Sequence, residues 1–461
     1  MQLINYDKGI ILALPLLILT SLLMIPDDYI FYSISILSAL LCYEFVVYKY
    51  RFIFGLTGLN YLSVPSLMVL TFTIFISLPS IYIAGASVHP SRIPFFISIL
   101  SFYFLFPLGL IIGQKIRPIE QVKLIDLKQA VRKMDMDKRF YELLIILLTL
   151  CLGILVLYLL RTDTIPLFEL IKTPGDSTKF FYLREDALKT LQITRIERYA
   201  VHWLRSLFIP FGIIGSLVLS TLYQKRTYKI LFINYLLIGL FVNTMTLEKS
   251  PLATVILVIA AYYYLKAKKV NALRIIGIII AVLAGPMVIT YFIFYGREDI
   301  FRVIYLSYFN RLIIVPSEVL SYYFQYFPEK HDFLWGRSSQ LFSWMSQFGT
   351  FPISNYVAKV WWKDPFTTGN ANAMYLGNFW ADFGYIGPLL STPIIGLVSH
   401  LFYRKILVTA DYSMNIIYIT VIAVCVPLFT FSFFSSNFTI LFFTKGLVLI
   451  VIFLYWIENR K

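Results

Sequence analysis

Apolar runs of about 20 residues recur along all 461 positions, and this pattern narrows the possible folds more than any motif does. A bilayer core is about 30 Å thick, and a helix rising about 1.5 Å per residue crosses it in about 20 residues. With 59% hydrophobic and 14% charged residues, the chain reads as a polytopic membrane protein rather than a soluble domain. The expected fold is all-α.

Hydropathy places about twelve transmembrane helices, near 9–25, 29–47, 63–84, 94–113, 140–160, 204–222, 230–246, 252–266, 275–296, 384–403, 414–435 and 438–456. They form one transmembrane domain over 1–461. The first span follows Lys8 without a small-residue cleavage site after it, so it is expected to stay in the protein. Cys42, Cys151 and Cys425 all fall in apolar segments and read as small core residues.

Charge sets the orientation. Alternate short loops carry Lys49 and Arg51, the basic run from Lys115 to Arg139, Lys225, Arg226 and Lys229, Lys266 to Arg274, and Arg404 with Lys405. With Lys8, Arg460 and Lys461 these hold just over half of the 40 basic residues. The positive-inside rule therefore puts both termini in the cytoplasm. Trp203, Trp335, Trp344, Trp361, Trp362 and Trp380, six of the seven tryptophans, then fall on the outer side. The net charge of +15 is an orientation signal, and anionic lipid headgroups account for it without nucleic acid.

Two large outer loops remain, 161–203 and 297–382. Neither has linker composition, and no internal repeat is present. Within the second, Ile300 to Phe327 reads as an amphipathic helix at headgroup level, interrupted at Pro316. Arg184, Arg195, Arg198, Arg205, Lys249, Arg297, Arg302, Arg311 and Arg337 stand outside against the positive-inside bias. Arginine's planar fork suits phosphate oxygens, so such residues could hold a lipid-linked phosphate or diphosphate. They could equally snorkel to headgroups or pair with Glu185, Glu197, Glu298, Asp299 and Glu318. Glu248 and Lys249 sit in a connection short enough to hold both at the outer interface. Lys445 lies inside the last expected span, where a charge needs a partner such as Asp382 or Glu44, or a catalytic role.

Sugars stack on aromatic rings and need amides or guanidinium groups for their hydroxyls. Trp335, Arg337, Trp344, Gln347, Tyr322, Asn370, Asn372, Asn378 and Trp380 supply both kinds of group; an interfacial aromatic belt would account for the tryptophans but not for the amides. For a general base, His331 is the best placed, followed by Glu318 and Glu248. Walker, HExxH, Cys/His metal-spacing and G-x-S-x-G patterns are all missing from the sequence. No metal or other cofactor is expected.

The run Tyr295-Gly296-Arg297, then Asn310-Arg311-Leu312 to Pro316 followed by Tyr322-Tyr323, is similar to segments of bacterial oligosaccharide repeat-unit polymerases of the O-antigen, or Wzy, type. Phe333-Leu334-Trp335-Gly336, and Asn370-Ala371-Asn372 continuing to Phe383-Gly384-Tyr385-Ile386-Gly387, extend the likeness over about 180–400. The resemblance implies a GT-C-like fold in the bacterial cytoplasmic membrane. It also implies transfer of a growing glycan from undecaprenyl diphosphate to the next lipid-linked repeat unit, with a chain-length regulator and a flippase as possible partners. Arg311 and the loop arginines would contact the diphosphate, together with Lys249, Arg184, Arg195, Arg198, Arg302 and Arg337. Three other readings stay open. One is a metal-dependent GT-C transferase using a lipid-monophosphate sugar, for which Asp27 and Asp28 are suitable. The others are a lipid-linked oligosaccharide flippase and a scaffold of an assembly complex.

The charge map makes a direct prediction. Reporter fusions after Arg184 and after Trp344 should behave as external, and a fusion within 120–137 as cytoplasmic. Cytoplasmic behaviour of the first two would overturn the orientation.

Overall fold

The computed structural model describes residues 29–47, 54–55, 58–59, 62–119, 138–175, 179–180, 182–183, 194–266, 277, 284, 286–296, 298–339, 349–365, 369–412, 416–433 and 445–458. The expected span at 9–25, part of that at 275–296, and Asp27, Asp28, Arg184, Arg297, Trp344 and Gln347 lie outside these residues. Among the described residues every regular element is helical. In chain order these are α1 (Tyr29–Val47), α2 (Val64–Ala86), α3 (Arg92–Ile116), α4 (Lys138–Arg161), α5 (Pro166–Lys172), α6 (Ile196–Tyr223), α7 (Arg226–Thr244) and α8 (Lys249–Lys266). They continue with α9 (Ile300–Ile304), α10 (Val315–Tyr326), α11 (Ile353–Trp362), α12 (Tyr375–Phe383), α13 (Ile386–Tyr412), α14 (Ile416–Ser432) and α15 (Leu447–Glu458).

Seven of these helices, α1 to α4, α6, α7 and α13, contain stretches long and apolar enough to cross a membrane, and the chain is a polytopic membrane protein. Helix α1 shows why in detail. Its inward face is Tyr32, Ile36, Ala39, Tyr43 and Val47, while Ile30, Ile34, Leu37, Leu41 and Phe45 are exposed. A helix whose outside is at least as apolar as its inside is stable against lipid. In water each exposed Leu, Ile or Phe would forfeit about 1.5–3 kcal/mol.

The chain forms two compact units: residues 1–118 with 313–401, and residues 119–312 with 402–461. In the first unit, α3 and α13 meet at small residues. A Cβ on Gly109 would lie 2.0 Å from the Pro393 carbonyl oxygen, and one on Gly396 would lie 2.2 Å from that of Phe106. Backbones this close replace the hydrophobic drive that lipid cannot supply. Outside the spans the same unit carries α10, α11 and α12. They are fastened by Ser317 Oγ to the Ile76 carbonyl (3.0 Å), Tyr323 to the Ala371 carbonyl (2.8 Å) and Tyr375 to Thr392 (2.8 Å). The expected break near Pro316 is present. A π turn spans Tyr305–Asn310, and α10 begins at Val315 with the proline in its first turn.

In the second unit α6 packs against α7. The Gly212 backbone lies against the Tyr235 ring, whose hydroxyl reaches the Leu144 carbonyl at 2.6 Å. Helices α2 and α6 share a device. Each contains a π turn, Thr73–Ser77 or Leu204–Phe208, whose closing N–H donates five residues back, Leu78 to Thr73 and Ile209 to Leu204. In both the next residue is proline, Pro79 or Pro210. A proline ring clashes with the carbonyl four residues earlier in an α-helix, and the wider turn relieves that clash.

The glycine contact is testable by thermal unfolding in detergent. Gly109→Ala should lower the midpoint, because its methyl meets backbone and overpacking costs about 1–3 kcal/mol. At Gly153 nothing lies within 4 Å, so Gly153→Ala should leave the midpoint unchanged or raise it by the helix-propensity gain of at most about 1 kcal/mol.

Candidate functional site

Of the charges the sequence places outside, Arg205 and Glu248 of the second unit meet at the π turn of α6. That turn carries Arg205, whose side chain is only 5% exposed. Its Nη2 lies 2.5 Å from Glu248 Oε2 and 2.9 Å from Thr246 Oγ1. Both partners come from the connection between α7 and α8, where Leu247 takes a left-handed φ of 56° and the chain reverses within four residues. The Nε–H of the same guanidinium is buried and has no acceptor. Breaking a buried pair of this kind by removing one partner typically costs about 3–5 kcal/mol.

Lys445 joins this cluster from a distant part of the chain. The Ser206 hydroxyl contacts both the His202 carbonyl (2.7 Å) and the Lys445 carbonyl (3.3 Å). Gly446, at φ +82°, brings the backbone so close that an added Cβ would meet Leu207 and Trp203. The lysine was expected well inside the last span, but α15 begins only at Leu447, so Lys445 stands in the turn before it. A glycine in the left-handed region marks that turn. Arg205, Lys445, Glu248 and His202 lie within electrostatic reach of one another. Two cations then face one carboxylate, and the surplus favours an anionic ligand.

In the first unit the expected sugar and base residues fall along a strip of rings. Trp362 stacks on Trp361 (5.6 Å), Trp361 lies 5.7 Å from Tyr322, and Tyr322 stacks on Tyr326 (5.6 Å). Farther along, His331 lies 5.6 Å from Tyr356 and 4.7 Å from Phe351, over which the Arg337 guanidinium sits at 5.8 Å. His331 Nδ1 is 2.7 Å from the Asp332 carbonyl oxygen, which can only accept. The Nδ1 proton is therefore fixed, and in the neutral ring Nε2 is the basic nitrogen. At the other end the Tyr322 hydroxyl donates to Glu318 and accepts from the Trp361 indole. Burial lifts the Glu318 carboxyl above the ordinary carboxylate range, and the Tyr322 bond offsets this in part.

Trp335 is displayed rather than packed, being 70% exposed on a backbone with φ 51°. It is held there by Asp382, 3% exposed, which accepts from the Ser338 N–H (3.0 Å), the Ser338 hydroxyl (2.5 Å) and the Gly336 N–H. Burial raises the Asp382 carboxyl and these donors pull it back in part. An anion at the C-terminal end of α12 opposes the helix dipole, so these donors are required. The amide stretch is strapped to the start of α11. Ala371 N–H donates to the Ser354 carbonyl (2.9 Å), Asn355 to the Gly369 carbonyl (2.9 Å), and the Ser354 hydroxyl to Asn370 (3.3 Å). Asn370 and Asn372 are left exposed.

Other expectations change. Trp380 is no sugar platform: it is buried, stacked on Phe324 at 4.4 Å with its indole N–H on the Phe327 carbonyl. Glu248 is committed to Arg205, which weakens it as a base. Arg198, Arg302 and Arg311 are exposed, Lys249 is half-buried at the start of α8, and the Arg195 side chain lies outside the described residues. Sequence reasoning counted Arg205 among the possible phosphate-binding cations and gave Lys445 a partner or a catalytic role, but it did not bring the two together, and it gave His202 no role. The available signal was Arg205 itself, an arginine inside an apolar run, with Glu248 in the next short connection. Among the described residues no group of three His, Cys, Asp or Glu gathers as metal ligands. Comparison with protein-family models, curated proteins and solved structures finds no match to this chain.

Proposed function

We propose that this protein is a membrane glycosyltransferase that joins undecaprenyl-diphosphate-linked oligosaccharide repeat units at the outer leaflet of the bacterial cytoplasmic membrane. In this reading it has about twelve spans, a GT-C-like arrangement and both termini in the cytoplasm. The observation that carries the proposal is the Arg205 cluster. A buried guanidinium with an unused Nε–H, within electrostatic reach of the half-buried Lys445, is matched by a phosphate-bearing headgroup.

The chemistry asks little else of the protein. The acceptor hydroxyl oxygen attacks the anomeric carbon, the bond from that carbon to the diphosphate oxygen breaks, and the hydroxyl proton leaves. Lipid diphosphate is a competent leaving group once its charge is balanced, which is the role of Arg205 and Lys445. The ring strip of the first unit supports binding of the sugars, with Tyr322, Trp361 and Tyr356 stacking and Trp335, Asn370 and Asn372 exposed for further contacts. Within the first unit, His331 presents Nε2 as a base, and Glu318 with Tyr322 can accept from and donate to sugar hydroxyls.

Purified protein with lipid-linked repeat units should build polymer in excess chelator. Dependence on added Mg²⁺ or Mn²⁺ would favour the monophosphate-sugar transferase instead. In the same assay Arg205→Lys should fail nearly as badly as Arg205→Ala, since a point charge does not reproduce a planar fork. Full polymer from Arg205→Lys would remove the fork from the mechanism.

The base has its own test. His331→Ala should lower kcat by about 10²–10⁴-fold with little change in KM. If His331→Ala stays active and Glu318→Gln does not, Glu318 is the base. Its carboxyl is raised by burial, and a base works only when deprotonated. Activity would then climb with pH through a midpoint above the ordinary carboxylate range, and fall as pH drops below it.

A further inference from the structure

The contact between Arg205 and Glu248 uses only part of what a guanidinium offers. The side-on edge of arginine presents Nε–H and one Nη2–H in parallel, and a carboxylate or phosphate normally engages both. Here Glu248 approaches Nη2 with one oxygen at 2.5 Å, Thr246 shares that nitrogen at 2.9 Å, and Nε–H is buried without an acceptor. A buried donor left unmade costs about 1–3 kcal/mol, more when it is charged. A permanent structural pair gains by closing the fork with the second carboxylate oxygen, and this pair leaves it open.

The two partners also differ in their surroundings. Arg205 is 5% exposed and anchored in the π turn, whereas Glu248 is 31% exposed in a four-residue connection. The guanidinium is fixed and cannot be left without a counter-charge at this depth. The carboxylate, by contrast, has solvent access. Lys445 also lies within electrostatic reach, and when protonated it leaves two cations facing the Glu248 carboxylate. An incoming group that exchanges for Glu248 must therefore bring more negative charge and more oxygens than one carboxylate.

We propose that Glu248 is a resident counter-ion that occupies the Arg205 fork until a diphosphate-bearing ligand displaces it, so that the carboxylate competes with the ligand and sets its affinity. The exchange rests on reading the Arg205 cluster as an anion site. It breaks no covalent bond: one phosphate takes Nε–H and Nη2–H together, and Glu248 turns to solvent. The competition keeps the buried arginine neutralised in the empty protein and weakens binding of lipid diphosphate after turnover, which favours release.

The test is binding to full-length protein in nanodiscs, with undecaprenyl diphosphate as the lipid probe and inorganic pyrophosphate as the soluble one. Glu248→Gln keeps the shape and removes the competing charge. It should bind about tenfold more tightly or better, and Arg205→Gln should lose binding. Because Glu248→Gln leaves the arginine without its ion, Glu248→Asp is the second variant. Its shorter side chain weakens the contact while keeping the charge, and it should give a smaller tightening in the same direction. Tightening with both probes assigns the exchange to the diphosphate itself, and tightening with the lipid alone assigns it to the lipid-borne headgroup; either supports displacement. If neither Glu248 variant binds more tightly while Arg205→Gln loses binding, the anion site stands and the counter-ion exchange is wrong. If Arg205→Gln binds like the unsubstituted protein, the anion site falls with it.

Discussion

Lipid offers no hydrogen bonds, so every polar group in a span must be satisfied by the protein itself, and most of this structure reflects that constraint. The hydroxyls show it residue by residue. Ser33, Ser35, Thr71, Thr149, Ser216, Thr244, Ser399 and Thr430 each bond the carbonyl four residues back on their own helix. Such local bonds need no partner helix, which lets serine and threonine serve as small residues for close packing. Tyr103 is satisfied across helices by Thr73 and Ser77, at the π turn of α2 where the regular ladder is interrupted. Of the four buried side-chain atoms without a hydrogen-bond partner among the described residues, on Arg205, Asn243, Ser391 and His400, the Arg205 Nε belongs to the group that always carries charge.

The two π turns serve one geometric purpose with different chemical outcomes. Each admits a proline into a spanning helix by widening the preceding turn, and each rotates the remainder of its helix by about one residue, or about 100°. In α2 the widened turn is lined by Thr73 and Ser77 and is closed by a tyrosine. In α6 it carries an arginine and is closed by an ion pair. The same backbone accommodation yields a packing joint in one helix and a charged centre in the other, and only the side chains decide which.

Seven of the twelve expected spans were legible in the sequence because their signal is one-dimensional. Expected spans at 94–113 and 140–160 correspond to Arg92–Ile116 and Phe140–Arg161, since length and apolarity alone define a crossing. The break before Pro316 was legible for the same reason, as proline acts locally. The site was not. Arg205 and Glu248 are far apart in sequence, and Lys445 reaches them through a turn made by one glycine with positive φ. Nothing in a hydropathy window reports such pairings. Trp380 failed for the opposite reason: tryptophan is apolar enough to serve either in a core or on a sugar face, and its stack on Phe324 is a tertiary fact.

Stability and function make opposing demands on the α6 turn. A closed fork between Arg205 and Glu248, with Nε–H satisfied, would be the more stable arrangement, and replacing both residues by apolar ones of similar volume is often neutral or better still. The structure has neither. It keeps a buried charged group in the α6 turn and gives it a counter-ion from a half-exposed connection. The Asp382 carboxylate in the other unit shows the contrasting arrangement, buried and bonded by two N–H groups and a hydroxyl, as a fixed latch should be. Two acidic residues in one protein thus separate by environment, Asp382 buried at 3% exposed and Glu248 at 31% exposed beside an arginine whose Nε–H has no acceptor.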